Sequence, residues 1–382
     1  ADQQDAVVRF DAGLQAAAAR TGAPAAPRLD LLQARGLYRT ATQQLELDAL
    51  RIDAGPARVA GQLRAQLDTR AGAGKLEVQA PGLQAQLEGD IAATRGQAQA
   101  RVNLRDAASL QRWLSSLPGL EKAFAGTSVA GNAQMDLRWQ GGWAQLQQQL
   151  AQPSTVQRGL AIELALDAPR LDLQLPGADP ATPRSIALRD IAARLSGSPA
   201  DAQLAVDGRA AMGPQQFRLR TRASGGIAGR DQWRLAVSEL QASASGVAGG
   251  TEKQPWQLAL QQPLSATLRR GASPLWQLDA SASSATLQGP GPDALQLQWQ
   301  PLLLAQTAGT PTAAWQLRGS GRVLGLSMAW AEALAPQMAQ SGIGGDLVFD
   351  GDWNVDTTGP LRASARLVRR SGDLLVRAGE DA

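Results

Sequence analysis

The chain has 382 residues and contains neither Cys nor His. Nucleophilic catalysis that depends on a His base, and zinc sites built on His or Cys, are therefore excluded within it. The 37 Lys and Arg residues nearly balance the 34 Asp and Glu residues, and the signs alternate along the chain, so the net charge of +3 does not indicate a nucleic-acid-binding surface.

Short strands of alternating polarity fill the chain from about Leu31. The first segments with apolar residues at every second position are 45–52, 59–67, 75–80, 83–91 and 98–104. Successive side chains of a strand point to opposite faces, so each segment has one apolar and one polar face. Gly and Pro separate the segments, which is typical of turns in an antiparallel meander. These turn signals are Gly55-Pro56, Gly72 to Gly74, Pro81-Gly82 and Gly96.

Helical spacing replaces this pattern between Asp106 and Phe124. Asp106 precedes a run in which Leu110, Trp113 and Leu114 recur at three- and four-residue intervals, which predicts a helix over 106–124 with Asp106 as its N-cap. A second short helix is predicted over 326–338. Two short helices are too few to cover the predicted strands.

Strands resume after the first helix and continue almost to the end of the chain. The segment 162–176 predicts a strand, a break at Ala168-Pro169 and a second strand. The further predicted strands are 129–140, 201–210, 216–222, 233–240 and 361–378. Because the composition does not change sharply anywhere, we expect 1–382 to form one continuous β segment with helical insertions at 106–124 and 326–338.

Tryptophan recurs at intervals of about twenty residues in the second half, in the pattern Trp-x-Leu or Trp-Gln. Twenty residues correspond to one hairpin, so Trp on every second strand would form a ladder along one face. Scattered core tryptophans are the alternative interpretation. The positions are Trp233, Trp256, Trp276, Trp299 and Trp315.

No motif predicts a metal site or a cofactor. The stretch DGDWNVD, from Asp350 to Asp356, spaces oxygen ligands by two, but Val355 and Leu361 stand where a calcium loop needs Gly and Glu. Its alternation with Trp353 and Val355 instead predicts a strand with a polar outer face. The glycines of 319–325 lack the context of a dinucleotide site and predict turns or narrow strand positions. We therefore do not expect an enzyme.

The fold expected from this pattern is all-β. Roughly twenty antiparallel-type strands at ~4.8 Å spacing would form a ribbon on the order of 95 Å long, and sheets of that size curl or split. Curling would give an elongated open trough with an apolar interior. A β-sandwich core is the alternative for the apolar face, whereas an outer-membrane barrel is disfavoured by the near absence of Tyr.

Two stretches, 131–150 and 344–376, resemble the family of the translocation and assembly module subunit TamB, within the AsmA-like superfamily. In the second, Gly351-Asp352-Trp353 leads to Arg369-Arg370-Ser371-Gly372-Asp373-Leu374, as in the "DW" and "RxSGDL" strands of that family. The resemblance implies a periplasmic protein with an inner-membrane anchor outside this chain and an outer-membrane barrel partner of the Omp85 type, TamA. It also implies a β-trough, the β-taco, that moves phospholipid between the membranes.

The apolar stripe is therefore expected to contact phospholipid acyl chains, with no catalytic residue and no nucleic acid. The alternative function is a scaffold or chaperone that assists outer-membrane protein assembly by β-strand augmentation. The expected groove residues are Leu63, Leu67, Val78, Leu87, Val102, Leu137, Ile162, Leu164, Leu166, Leu171, Leu173, Leu175, Trp256, Leu258, Trp276, Leu278, Leu297, Trp315, Leu317, Leu347, Phe349 and Trp353.

Overall fold

The computed structural model has an all-β fold in which antiparallel strands are joined mainly by short turns. It describes residues 6–15, 30–117, 119–120, 124–151, 159–176, 184–247, 251, 254–271, 275–289, 294–307, 314–328, 330 and 343–376. The chain divides into two compact units, Ala1–Pro199 (unit 1) and Ala200–Ala382 (unit 2). The sequence gives no sign of this division, because the strand pattern runs through it unchanged.

Unit 1 is a meander in which each strand pairs with the next one along the chain. Its strands are β1 Val7–Gln15, β2 Leu31–Arg39, β3 Gln44–Ala54, β4 Ala57–Gln66, β5 Ala71–Ala80, β6 Leu83–Ile91, β7 Gly96–Leu104, β8 Ser128–Gln140, β9 Ala161–Leu175 and β10 Arg184–Ser198. All nine consecutive pairings, from β1 with β2 to β9 with β10, are antiparallel.

Two helices interrupt the meander. The helix α1 is Ala107–Ser115 and is shorter than the predicted 106–124, because Ser116 already forms its C-cap. Its N-terminus is capped as predicted, since the carboxylate of Asp106 accepts hydrogen bonds from the backbone N–H groups of Ala108 and Ser109. The helix α2, Trp143–Ala151, follows β8 and was not predicted. Its first turn is held against the β6–β7 turn by hydrogen bonds from the N–H of Trp143 to the carbonyl of Ala92 and from Ala144 to Ala93.

Unit 2 begins with three long strands, has short strands in its middle, and has both longer and short strands towards its end. Its strands are β11 Asp201–Met212, β12 Gln215–Gly229, β13 Gln232–Ser245, β14 Trp256–Leu260, β15 Leu264–Arg270, β16 Trp276–Ala280, β17 Ser283–Gln288, β18 Ala294–Trp299, β19 Leu302–Thr307, β20 Ala314–Ser327, β21 Ile343–Gly345, β22 Val348–Asp356, β23 Arg362–Ser371 and β24 Leu374–Val376. The short β21 and β24 pair with each other, and β22 pairs with β20 and β23.

Between β13 and β20 the sheet of unit 2 separates into two columns of short strands. One column runs from 241–244 of β13 through β14, β17 and β18 to 321–324 of β20. The other runs from 232–237 of β13 through β15, β16 and β19 to 314–318 of β20. The chain crosses from one column to the other at the β14–β15, β16–β17 and β18–β19 turns. The predicted single meander is therefore replaced here by two narrow ones that share their outer strands.

β-Bulges keep the apolar residues on one face wherever their spacing changes from two to three. A step of three would otherwise move the following residues to the opposite face. The register shifts in β3 between Leu47 and Leu50, and in β20 between Val323 and Leu326. In β13 it shifts between Val237 and Glu239, which keeps Leu240 on the face of Val237. Each bulge adds one residue to its strand and restores the alternation.

A β-bulge also explains why the strand break that was expected at Pro169 does not occur. Residues 161–175 form one continuous strand, β9, with an exposed Pro169 inside it. The β8–β9 register shifts beside this residue, since Asp167 pairs with Gln134 but Arg170 pairs with Asn132. Proline lacks the N–H that a ladder needs, and a bulge is one of the few strand positions that tolerate it.

Three further expectations differ from the structure. The single strand predicted over 361–378 is divided into β23 and β24, which pair with different strands. Gly72 and Gly74 lie inside β5 and not in a turn, since the turn occupies 67–70. Leu326 and Ser327 of the predicted second helix belong to β20, and most of the remaining predicted segment lies outside the described residues. The apolar alternation of β20 continues to Leu326 through the bulge, which explains why this part extends the strand.

The close approach of β4 and β5 gives a test of the sheet geometry. A Cβ atom at Gly61 would clash with the carbonyl oxygen of Lys75, whereas at Gly13, in β1, it would meet nothing within 4 Å. We expect Gly61→Ala to lower the free energy of unfolding by about 1–3 kcal/mol, because the backbone must move to relieve the clash. Gly13→Ala is the control and should change it by less than about 1 kcal/mol. Urea denaturation measures both, and equal stabilities of the two variants would contradict the described β4–β5 contact.

Candidate functional site

Unit 1 has one face on which cross-strand partners are apolar in all ten strands, and we call it the apolar face. Cross-strand partners lie on the same side of a sheet, so the register defines rows perpendicular to the strands. One row is Ala12, Ala34, Leu50, Gly61, Leu76, Leu87, Ala100, Leu137, Leu164 and Leu195. The next is Leu14, Leu32, Ile52, Val59, Val78, Ala85, Val102, Met135, Leu166 and Ala193.

These rows are long compared with an acyl chain. Nine steps of ~4.8 Å give a length of roughly 43 Å, while the hydrocarbon core of a whole bilayer is ~30 Å thick. Neither row contains a polar side chain. A hydrocarbon chain lying along them would therefore meet a continuous aliphatic surface.

The apolar face is accessible to solvent. Among the described residues of unit 1, only Ala107, Leu160 and Ala168 are fully buried apolar residues. Leu87 and Ile91, in the middle of the meander, are 41% and 42% exposed. A sandwich core would bury its central strands almost completely, so this exposure argues against a packed second layer over β6.

Most of the predicted groove residues of unit 1 lie on the apolar face. They are Leu63, Val78, Leu87, Val102, Leu137, Ile162, Leu164, Leu166, Leu171, Leu173 and Leu175. Leu67 instead lies in the β4–β5 turn and is exposed. The prediction omitted Leu76, Met135 and Trp139, which belong to the same face and whose alternation with polar residues is equally regular.

The predicted residues of unit 2 lie on one face of its sheet, with one exception. Those in strands are Trp256, Leu258, Trp276, Leu278, Leu297, Trp315, Leu317, Phe349 and Trp353. Leu347 is buried and precedes β22. The face is less uniform than that of unit 1, because Arg270 and Gln306 pair with Trp276 from either side.

The tryptophans share this face but form two sets, not the single ladder that was predicted. Trp233, Trp276 and Trp315 follow one column, and the rings of the first two lie 5.9 Å apart. Trp256 and Trp299 follow the other, where Trp330 packs edge-on against Trp256 at 4.9 Å. Trp256 is therefore partly covered, whereas Trp315 is 56% exposed.

The opposite, hydrophilic face carries cross-strand pairs of Arg with Asp or Glu. In unit 1, Arg64 lies 2.7 Å from Glu46, Arg101 3.0 Å from Asp136, and Arg194 2.8 Å from Asp167. Exposed pairs of this kind each contribute little to stability. Their main effect is to fix the register, because a slip of one residue would bring the charges to the apolar face.

Two carboxyl groups of unit 1 show how closely these pairs are held. The guanidinium groups of Arg170 and Arg189 donate hydrogen bonds to the carboxylate of Asp172. These bonds stabilise the charged form and lower the pKa of Asp172. Arg51 lowers the pKa of Asp53 in the same way, with a further contribution from Arg58.

Unit 1 has a concavity of about 1020 Å³ that charged and apolar residues line together. Seven neighbouring strands, β3 to β9, line it, so the sheet is curved along this stretch. The charged side chains around it include Arg64, Lys75, Glu88, Asp90 and Arg138. Leu63 and Trp139 of the apolar face also belong to its lining, between these charged residues along their strands.

The acidic stretch of unit 2 is a strand, as the sequence predicts. Asp352 and Asp356 of β22 lie 2.9 Å and 3.1 Å from Arg322 and Arg318 of β20, so both carboxylates are paired with cations. The residues that the structure describes contain no group of three or more potential acidic metal ligands. Gly321, in the glycine-rich stretch, belongs to β20 and lies beneath the ring of Trp353 of β22.

Comparison with known proteins gives no match to a family model, a curated protein or a solved structure. None of the helices in the described part of the chain combines the length and the apolar character needed to cross a membrane.

The Asp172 pairs predict how stability depends on pH. The folded-state pKa of Asp172 is below the ordinary value of 3.8, so its contribution is present above that value and is lost as the pH falls through the folded pKa. Asp172→Asn should therefore lose less stability than the wild type between about pH 5 and pH 2. Glu88→Gln, which removes a carboxylate without an ion pair in the described chain, should follow the wild type in urea titrations. Identical curves for all three proteins would contradict the prediction.

Proposed function

We propose that this chain is a segment of a periplasmic conduit that conducts phospholipid along its apolar face between the inner and outer membranes. The observation that supports this most strongly is the pair of uninterrupted apolar rows across ten strands of unit 1. The proposal needs no catalytic residue, and we regard the chain as a carrier surface and not as an enzyme.

The energetics of a lipid tail favour this use of the face. Moving hydrocarbon into water costs about 0.8 kcal/mol per methylene, so a tail of sixteen carbons cannot cross an aqueous compartment unaided. An aliphatic surface lowers that cost without binding any single position strongly. Because the rows contain no polar side chain, a tail that moves from one strand to the next removes no charged or polar group from water.

The solvent exposure of the apolar face is compatible with a bound headgroup as well as with bound tails. A zwitterionic or anionic headgroup must remain hydrated, which an open face permits and a closed core does not. In the middle of unit 1, side chains of the apolar face are up to about two fifths exposed to solvent. Tails can therefore lie on the sheet while the headgroup stays in water.

The resemblance to the TamB family provides the cellular context of the proposal. Its second motif forms a hairpin, β22 with β23, whose end is fixed by a bond from the N–H of Asp373 to the carboxylate of Asp346. Arg369 pairs with Asp373 in the same turn. On this basis we propose an anchor in the inner membrane outside this chain and an outer-membrane Omp85-type barrel, TamA, as partner.

A scaffold or chaperone that acts by β-strand augmentation is the second candidate. The observation that favours it is the exposure of β23, in which all ten residues are accessible. An accessible strand can accept a further strand from a client protein. This function would not need the apolar rows of unit 1.

Photo-crosslinking distinguishes the two candidates. A photoreactive residue is placed at Leu87, on the apolar face, or at the adjacent exposed Gln86, on the hydrophilic face. In cells, we expect phospholipid adducts at position 87 and not at position 86. Protein adducts alone at position 87, or equal lipid labelling at both positions, would contradict the lipid proposal.

Charge insertion tests whether the face is required. Leu87→Arg places a cation in the middle of a row and should abolish phospholipid copurification with the chain, while Gln86→Arg should leave it unchanged. Circular dichroism must first show that both variants keep the strand content of the wild type. Retention of phospholipid by a folded Leu87→Arg variant would exclude the apolar rows as the lipid path.

A further inference from the structure

The strand β23 forms an edge of the sheet of unit 2 in the described structure. It pairs with β22 on one side, and its other side has no strand among the described residues. All ten of its residues are exposed, including Leu367 at 60%. An edge strand presents unpaired N–H and C=O groups in a row, to which another strand can bind.

The ion pairs next to this edge show that two arginines on the hydrophilic face of β23 have no carboxylate partner among the residues that the structure describes. The carboxylates of Asp352 and Asp356 in β22 are paired with Arg322 and Arg318 on the β20 side. On the β23 side, Arg366 and Arg362 are their register partners. Neither of these two arginines has an ion pair within the described structure.

At two other positions on the hydrophilic face of unit 2, neighbouring strands place Arg beside Asp or Glu. Arg220 of β12 lies 2.7 Å from Asp207 of β11, and Arg222 lies 3.4 Å from Glu239 of β13. A strand added beyond β23 with carboxylates opposite Arg362 and Arg366 would continue this arrangement. Opposite charges on facing strands stabilise the pair, and like charges destabilise it.

The other face of β23 limits the partner as well. Ala363, Ala365 and Leu367 pair with Val355, Trp353 and Gly351 on the apolar side. An added strand must therefore alternate, with acidic residues on one side and aliphatic residues on the other. A second copy of β23 does not fit, because its sequence, RASARLVRRS, contains four arginines and no carboxylate to place opposite Arg362 and Arg366.

We infer that the outer edge of β23 binds an acidic, amphipathic strand, which adds to the sheet in antiparallel orientation with carboxylates opposite Arg362 and Arg366. The inference does not depend on the lipid proposal. It concerns the edge of unit 2, whereas the lipid proposal concerns the apolar face of unit 1.

The β22 sequence provides a suitable probe, since its Asp352 and Asp356 have the four-residue spacing of Arg366 and Arg362. An acetylated and amidated peptide, VFDGDWNVD, is titrated against the full chain and compared with VFNGNWNVN and VFKGKWNVK. We expect the acidic peptide to bind about tenfold more tightly than the amide peptide. The difference should shrink as salt is added, because the charges are exposed.

Charge reversal in the protein completes the test. The double variant Arg362→Glu/Arg366→Glu should prefer the lysine peptide, whereas Arg218→Glu/Arg234→Glu, with the same change of charge on the interior strands β12 and β13, should bind like the wild type. A peptide with N-methylated backbone amides should not bind, because it cannot pair with the edge.

Several outcomes would overturn the inference. They are no binding of the acidic peptide to the wild type, equal binding of the acidic and amide peptides, or an unchanged preference in Arg362→Glu/Arg366→Glu. Loss of hydrogen-exchange protection in β22 on binding would also overturn it, because that result would mean replacement of β22 and not addition to β23.

Discussion

The structure depends on one constraint, which is that every strand of unit 1 must present its apolar residues on the same side. A single sheet with charges on one side and hydrocarbon on the other has only one register that keeps the two apart. Changes of spacing are therefore accompanied by bulges, as between Leu47 and Leu50 in β3. The bulge moves the backbone by one residue so that Leu50 continues the row that contains Leu76 and Leu87.

Segregation of charge follows from the same constraint. Arginine and carboxylate side chains alternate between strands on the hydrophilic face, and this face needs no covering layer because water solvates it. The apolar face does need cover, yet in the middle of unit 1 its side chains remain partly exposed. Phospholipid tails are the cover that we propose, and their removal would leave this hydrocarbon in contact with water.

Much of the fold could be predicted from polarity alone. Period-two alternation located the strands β3 to β9 and placed residues such as Val78, Leu137 and Leu164 on a common face, and Asp106 marked the start of α1. The bulges could not be predicted, because a step of three, as from Ala168 to Leu171, also looks like a strand break. Proline at position 169 strengthened that wrong interpretation.

Other features depend on contacts between distant residues. The helix α2 begins where the N–H groups of Trp143 and Ala144 bond to the β6–β7 turn, fifty residues earlier in the chain. The two columns of unit 2 depend on which half of β13 each short strand joins, and Trp256 and Trp276 have the same local pattern although they lie in different columns. Exposure of the β23 edge is likewise a property of pairing and not of its own sequence.

The most direct test of the account is to purify the chain without detergent, extract it with organic solvent and quantify phospholipid by mass spectrometry. The account predicts at least one phospholipid per chain, which delipidation removes and phospholipid vesicles restore. A folded chain that contains no phospholipid, and takes up none from vesicles, would contradict the claim that acyl chains cover the apolar face.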